Sequence, residues 1–401
     1  MAHLAIVGTG PAGALAALAL NQASHDITLI GPAFGTNDKR TAAIMVPGLK
    51  LLDELGLLSN IEHQTAPLKV MRIIDGTKRL LRSPTVSFHA HEVGEEAFGR
   101  NVPNAVLNMA LKDALAQSSV THVEGSVTNI DEQQTGVTLS LGSDKTLQVE
   151  AVIGADGQNS LCRSSAGIQT REVTLPQSAV VGVFHHIKHH GFVSTEFHTE
   201  TGPCTTVPLP GGHRSSFVWV LKPEQAADMA ELSPAAFSAA LETRIASILG
   251  AVTLDETIGV QSWPLTGVLA SKAAKGRIAL IGEAAHRFPP IGAQGLNLTL
   301  RDIVELRRVL SENSDAKTAF NFYATNRARD IQLRYTAVMT LNRSLLSDLL
   351  PVQAVRGIGL AVLGRVPALR GFMMREGMEP GTGWKNIMPE RSDARSDRQQ
   401  A

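Results

Sequence analysis

Cysteine is scarce: Cys162 and Cys204 are the only two in 401 residues. So few, so far apart, build neither a disulfide framework nor a zinc knuckle; they fit a reducing compartment, and the cytoplasm is the expected location. Net charge is missing as well. Lys plus Arg and Asp plus Glu each total 37, which removes the overall basic character of a nucleic-acid binder, and no such partner is expected. Long hydrophobic runs are also absent. No window holds the roughly 18 uninterrupted apolar residues of a membrane span, so no crossing helix is expected, while contact with a membrane surface stays open. The apolar stretch from Leu4 to Leu20 has no basic segment before it and is interrupted by Gly8, Gly10, Pro11 and Gly13, so it reads as strand, turn and helix rather than as a signal peptide. Tyrosine is limited to Tyr323 and Tyr335, both in the C-terminal region.

What is present suffices for two or three domains. The chain opens β-α-β, with a strand His3–Val7, an Ala- and Leu-rich helix to about Gln22 and a strand Asp26–Ile30, a parallel doubly wound beginning. A helix over Val106–Gln117 precedes short strands around Val127, at Val137–Leu141 and at Leu147–Ile153, where the parallel sheet is expected to resume. From Ala179 to Val220 strands alternate with turns at Gly202-Pro203 and Pro210-Gly211-Gly212, which predicts a separate antiparallel layer for the substrate. A buried strand Arg277–Ile281 leads into a Pro/Gly-rich loop and a helix from about Gln294, and helices follow Asp302. These readings place a discontinuous nucleotide-binding domain at 1–65, 100–175 and 262–330. The substrate domain takes 66–99 and 176–261, C-terminal helices take 331–381, and 382–401 is a polar tail.

Three segments carry chemistry. Gly8-Thr9-Gly10-Pro11-Ala12-Gly13 is a G-x-G-x-x-G turn between strand and helix, where backbone amides at a helix N-terminus can meet a pyrophosphate. The acid that would bond the adenosine ribose at the end of the second strand is replaced by Gly31, a loss most damaging to an NAD site. The second segment, Gly154-Ala155-Asp156-Gly157-Gln158-Asn159-Ser160 with Arg163, would be an ordinary Asp-Gly turn if it stood alone. The third is Gly282-Glu283-Ala284-Ala285-His286-Arg287-Phe288-Pro289-Pro290-Ile291-Gly292-Ala293-Gln294-Gly295-Leu296-Asn297. It offers a carboxylate at a strand end and free amides at a helix start, able to face developing negative charge.

In this order, over about 300 residues, the three segments resemble the class A flavoprotein monooxygenases. Within them, Asp38-Lys39-Arg40-Thr41-Ala42-Ala43, Gly99-Arg100-Asn101-Val102-Pro103-Asn104, Gly202-Pro203 with Pro208-Leu209-Pro210, and Arg375-Glu376-Gly377-Met378 resemble the ubiquinone-biosynthesis hydroxylases, the 2-polyprenylphenol hydroxylases. The resemblance implies a mixed α/β fold like 4-hydroxybenzoate hydroxylase, with a Rossmann-like FAD domain, an inserted antiparallel β-sheet substrate domain and a helical C-terminus. It implies hydroxylation of a polyprenylated phenol with molecular oxygen through a flavin C4a-hydroperoxide, reduced by NAD(P)H or a protein electron donor. A lipid-borne substrate, contact with the inner face of the membrane and membership of a quinone-biosynthesis enzyme complex are implied with it. Carried over by position, FAD contacts fall on Gly8, Gly10, Pro11, Ala12, Gly13, Arg40, Thr41, Asn104, Val127, Asp156, Gly157, Gly282 and Glu283. Pro290, Gly292, Ala293, Gln294, Gly295, Leu296 and Asn297 complete the flavin surround, and no catalytic acid or base is assigned. Gly31 and Glu283 depart from the family's habit of an acid and an Asp, and the first departure predicts a loosened adenosine end.

Alternatives remain at this stage: a hydroxylase of a small soluble aromatic compound, a flavin halogenase, or a non-catalytic flavoprotein scaffold. Against the first stands the expected place of the only two tyrosines, Tyr323 and Tyr335, outside the substrate layer, and against the second the absence of a W-x-W-x-I-P stretch around Trp219, Trp263 and Trp384. The run His185-His186-Ile187-Lys188-His189-His190 diverges on a strand and completes no metal set, so no metal is expected. His286 reads as a packing or supporting histidine, and Arg214 as an exposed turn arginine or a carboxylate clamp. The apolar and basic stretch from Leu345 past Arg375 reads as core packing or as an interfacial face.

Overall fold

The computed structural model describes residues 2–77, 82–142, 145–290, 294–347, 349–379 and 382–383. The expected contacts Gly292 and Ala293, and the tail beyond Gly383, lie outside the described residues.

A six-stranded sheet forms the centre of the nucleotide-binding region, in the order Ala274–Lys275, Ile278–Leu280, Ala151–Gly154, His3–Val7, Asp26–Gly31, Thr121–Glu124. All neighbours are parallel except the first pair, a short hairpin. The four inner strands read as continuous apolar runs because both sheet faces are covered there. Helix Pro11–Gln22 lies on one face, its residues Gly13 to Leu20 buried, and the amphipathic helix Gln294–Glu312 packs against it.

The expected strand Leu147–Ile153 is two strands in two sheets. Val149 pairs with Val137 in an antiparallel meander, Val127–Glu132, Val137–Leu141 and Lys145–Val149, whereas Ala151 pairs with Leu4 in the parallel sheet. The change occurs at Glu150, whose N–H is taken by the His3 carbonyl at 2.9 Å. Alternating and continuous apolar patterns run together across this single residue, so periodicity alone does not divide them.

A nine-stranded sheet makes the second layer. Its order is His286–Arg287, Gln261–Ala270, Thr170–His186, Arg214–Leu221, Gly202–Pro208, Val193–Thr199, Val70–Asp75, Val86–His89, and Val252–Leu254 pairs with the end of Thr170–His186. It is antiparallel apart from Val193–Thr199 beside Val70–Asp75. Both Thr170–His186 and Gln261–Ala270 reach beyond the expected limits of 176 and 261, because these long strands pair along most of their length. Their register slips between Thr174 and Ser178, around Pro176, which has no N–H to give to a ladder. Helices Ala316–Leu346, Leu350–Arg365 and Pro367–Met378 close the fold.

Candidate active site

The glycine turn is shaped by contact on one side and by space on the other. A Cβ at Gly8 would overlap the Ala155 carbonyl, and one at Gly13 would overlap the Gly8 carbonyl, whereas nothing lies within 4 Å of one at Gly10. Gly8 and Gly13 thus let strand, helix and the second segment close together, while Gly10 faces a cavity of about 440 Å³. Thr9, Gly10, Pro11, Phe34, Asn37, Asp38 and Asn108 are among its walls. The helix that starts at Pro11 has no side-chain cap and no acid in its first turn, so its amide donors are available to an anion. The size suits part of a dinucleotide.

Hydrogen bonds bring the three segments together. Ala155 N donates to the Val7 carbonyl at 2.8 Å and Ile281 N to the Gly154 carbonyl at 2.9 Å. Arg163 donates to the carbonyls of Gln158 (2.8 Å) and Ala284 (3.0 Å), and Arg287 reaches the Gln158 side chain. The Asp156 carboxylate is occupied within its own turn by Ser160 Oγ (2.6 Å) and Cys162 N (3.0 Å), so its backbone, not its side chain, lies against the glycine turn. Gly157 has a positive φ of 76° and open space beside it. Val127 begins a meander strand and packs in the apolar cluster with Val7 and Ile30.

Arg40 and Asn104 converge on Asp38, which stands in one of the family-like stretches but had no role assigned to it. Arg40 Nη2 and Asn104 Nδ2 donate to its Oδ2 at 2.6 and 2.9 Å. Burial opposes ionisation of Asp38, but these donors hold its carboxyl below the ordinary range. Its sequence signals were its place at the head of that stretch and its nearness to Arg40. The Arg40 guanidinium also lies 5.6 Å from the Trp263 ring centroid and feels the charge of the exposed Glu283. Thr41 bonds Ser216 Oγ of the large sheet at 3.0 Å instead of facing the cavity.

Gly31 has a structural reason. A Cβ there would come within 2.8–2.9 Å of Thr9 N, Oγ1 and Cγ2. Thr9 Oγ1 donates to the Pro32 carbonyl at 2.8 Å and ties the glycine turn to this strand end.

In the third segment, His286–Arg287 is an edge strand of the large sheet, and Gln294 starts the helix that returns to the nucleotide-binding core. Asn297 clamps that helix to strand Thr41–Met45, donating to the Ala43 carbonyl at 2.7 Å and accepting from Met45 N at 2.8 Å. Pro290 is exposed, Leu296 packs on the first core, and Gly295 has open space beside it. His286, fully buried, donates from Nε2 to Asp302 Oδ2 at 2.6 Å, and Arg327 donates to Asp302 Oδ1 at 2.8 Å. The chain continues from Arg327 to Asp330 (2.6 Å), Arg334 (2.9 Å) and back to Gln294 (2.7 Å). Arg334 also holds the carbonyls of Glu376 and Gly377, and Arg301 that of Met378, which binds the C-terminal Arg375–Met378 stretch to helices Ala316–Leu346 and Gln294–Glu312. None of Asp302, Arg327, Asp330 and Arg334 was legible as a group, because they meet only across two helices.

The remaining candidates are otherwise engaged. Arg214 pairs with Asp255 at 2.7 Å, a clamp inside the protein. His186 donates to the Lys188 carbonyl and His190 bonds the Leu209 carbonyl. Tyr323 OH donates to Leu280 O at 2.8 Å in the core, but Tyr335, expected outside the substrate layer, packs with Leu175, Ala179, Val220 and Leu265 of the large sheet and lies 5.8 Å from the Phe288 ring. The long helix carries it back across the sheet, which position in the chain does not reveal.

The sequence matches the FAD binding domain family over residues 1–331. The chain belongs to that family. This FAD-binding protein is 29% identical over 394 residues to ubiquinone hydroxylase UbiL of Rhodospirillum rubrum, covering 94% of this chain and 90% of that one. It is 27% identical to the 3-demethoxyubiquinol 3-hydroxylase of Escherichia coli, over 92% of this chain and 96% of its relative. Its fold is that of HpxO from Klebsiella pneumoniae, solved with FAD and uric acid, with a TM-score of 0.75 at 20% identity over 94% of this chain and 96% of that one. FAD is the cofactor, and the protein is an FAD-dependent aromatic monooxygenase. The residues fit the nucleotide end of the group, with uncapped amides beside the cavity and Arg40 in the field of Glu283.

Proposed function

We propose that the protein hydroxylates the aromatic ring of a polyprenylated phenol in ubiquinone biosynthesis. Bound FAD supplies the activation of molecular oxygen. One oxygen atom enters the ring and the other leaves as water, with two electrons from NAD(P)H or a protein donor.

The observation that carries this reading is that the third segment belongs to both layers at once, as strand His286–Arg287 of the large sheet and as the start of helix Gln294–Glu312. A flavin held by this segment would lie where the two layers meet, within reach of a ring bound against the large sheet. In this reading the protein mainly positions and dehydrates. Asn297 and the His286–Asp302 pair hold the loop, the amides after Gly10 take the pyrophosphate, and Glu283 takes a ribityl hydroxyl. The named relatives, similar over nearly their whole lengths, support the polyprenylated substrate.

The test supplies purified holoprotein with NAD(P)H or reduced ferredoxin, ¹⁸O-labelled oxygen and a short-chain prenylphenol. One labelled oxygen in the product is expected. Flavin reoxidation that yields only peroxide with every prenylphenol offered would overturn the substrate assignment. In cells, deletion of the gene accumulates a precursor one oxygen short.

A further inference from the structure

We propose that the outer face of the two C-terminal helices, Leu350–Arg365 and Pro367–Met378, docks the protein on an anionic lipid bilayer. Val355, Ile358, Val362, Val366, Leu369 and Met373 recur at intervals of three and four and are 39–72% exposed. No other stretch of this length among the described residues exposes as many large apolar side chains. Between Leu349 and Arg375 the sequence holds four arginines and no Asp or Glu, in a chain whose charges balance as a whole. Apolar residues beside an exposed arginine such as Arg365, in a stretch without acids, are what an interfacial helix brings to anionic headgroups. Helices of 16 and 12 residues are too short to cross a hydrocarbon core of about 30 Å, and the segments Gly357–Arg365 and Pro367–Met378 meet at 105°, so the pair lies on a surface.

The opposite face is anchored to the protein. Arg370 pairs with Glu92 at 2.6 Å, and Met374 is buried with Ala90 and Phe98, against Met45, Met71 and Phe88. Met45 is the residue whose N–H Asn297 holds, so this adaptable apolar layer lies between the exposed stripe and the flavin loop. A second copy is the poorer occupant. A twofold contact would set this acid-free, arginine-bearing face against itself. Docking is independent of the hydroxylase reading, since a soluble short-chain phenol needs no bilayer.

The test is co-sedimentation of full-length holoprotein with vesicles of phosphatidylcholine alone and of phosphatidylcholine mixed equally with phosphatidylglycerol. Binding to the mixed vesicles, weakened by salt, is expected. Ile358→Asp and Val362→Asp each weaken it about tenfold or more, and Arg365→Glu about 30-fold. Phe322→Asp, at an exposed position on helix Ala316–Leu346, leaves it unchanged. Retained FAD content and circular dichroism report the fold of each variant. The proposal is overturned if wild type binds neither vesicle, if Phe322→Asp acts like Ile358→Asp, or if Ile358→Asp instead abolishes a dimer seen by sedimentation velocity.

Discussion

Placing a side chain at position 31 tests how the adenosine end is built. Family habit suggests that Gly31→Glu should tighten FAD by returning a ribose partner, a charge-assisted hydrogen bond worth about 1.5–3 kcal/mol. The structure opposes this. The new Cβ would meet three atoms of Thr9 at 2.8–2.9 Å, one of them the backbone nitrogen of the pyrophosphate turn, which cannot swing aside. Overpacking of this kind costs about 1–3 kcal/mol. It falls on the anion-binding amides themselves, so Gly31→Ala, which adds the Cβ without the carboxylate, should raise the Kd for FAD about 5- to 150-fold. Gly31→Glu should recover part of that loss relative to Gly31→Ala yet bind no more tightly than wild type. Titration of the apoprotein by quenching of flavin fluorescence measures all three. An alanine variant with wild-type affinity, or a glutamate variant that binds more tightly than wild type, would refute the reasoning.

Asp302→Ala takes the carboxylate from the buried His286 and one of two from Arg327, which keeps Asp330, and should lower unfolding stability by about 3 kcal/mol, with Asp302→Asn milder; urea unfolding within about 1 kcal/mol of wild type would count against a structural role for these bonds. His186 and His190 are buried near His189 and His213, and burial, followed by those neighbouring rings, lowers both pKa values from 6.5 against the pull of the Lys188 and Leu209 carbonyls. Their neutral forms are favoured in the folded state, so the stability linked to them is complete above pH 6.5 and is lost as pH falls through the lowered values. The urea midpoint should therefore drop from neutral pH toward pH 5, and a His186→Gln, His190→Gln variant should show a flatter profile.

Local chemistry was legible where one segment contains its own reasons. The strand, glycine turn and helix from His3 to Gln22 follow from an apolar run, a turn that only glycine closes and a proline at the first helical position. The third segment was legible for the same reason, since its carboxylate, loop and helix start are contiguous. What sequence did not show is decided by atoms that approach from elsewhere. Gly31 reads as a missing acid until Thr9 is seen against it. Asp38 reads as one charge among several until Arg40 and Asn104 close on it beside the cavity. Asn297 was expected to border the flavin, yet both polar atoms of its side chain bond the backbone of strand Thr41–Met45. A mutation there that loosens FAD would therefore act through the backbone. Hence the third segment is held by bonds that the motif itself does not spell out: the Asn297 clamp, the Asp302 pair and the arginines that bind residues 376–378. A sequence motif marks where the cofactor lies, while the packing of two helices and two sheets determines how firmly it is held.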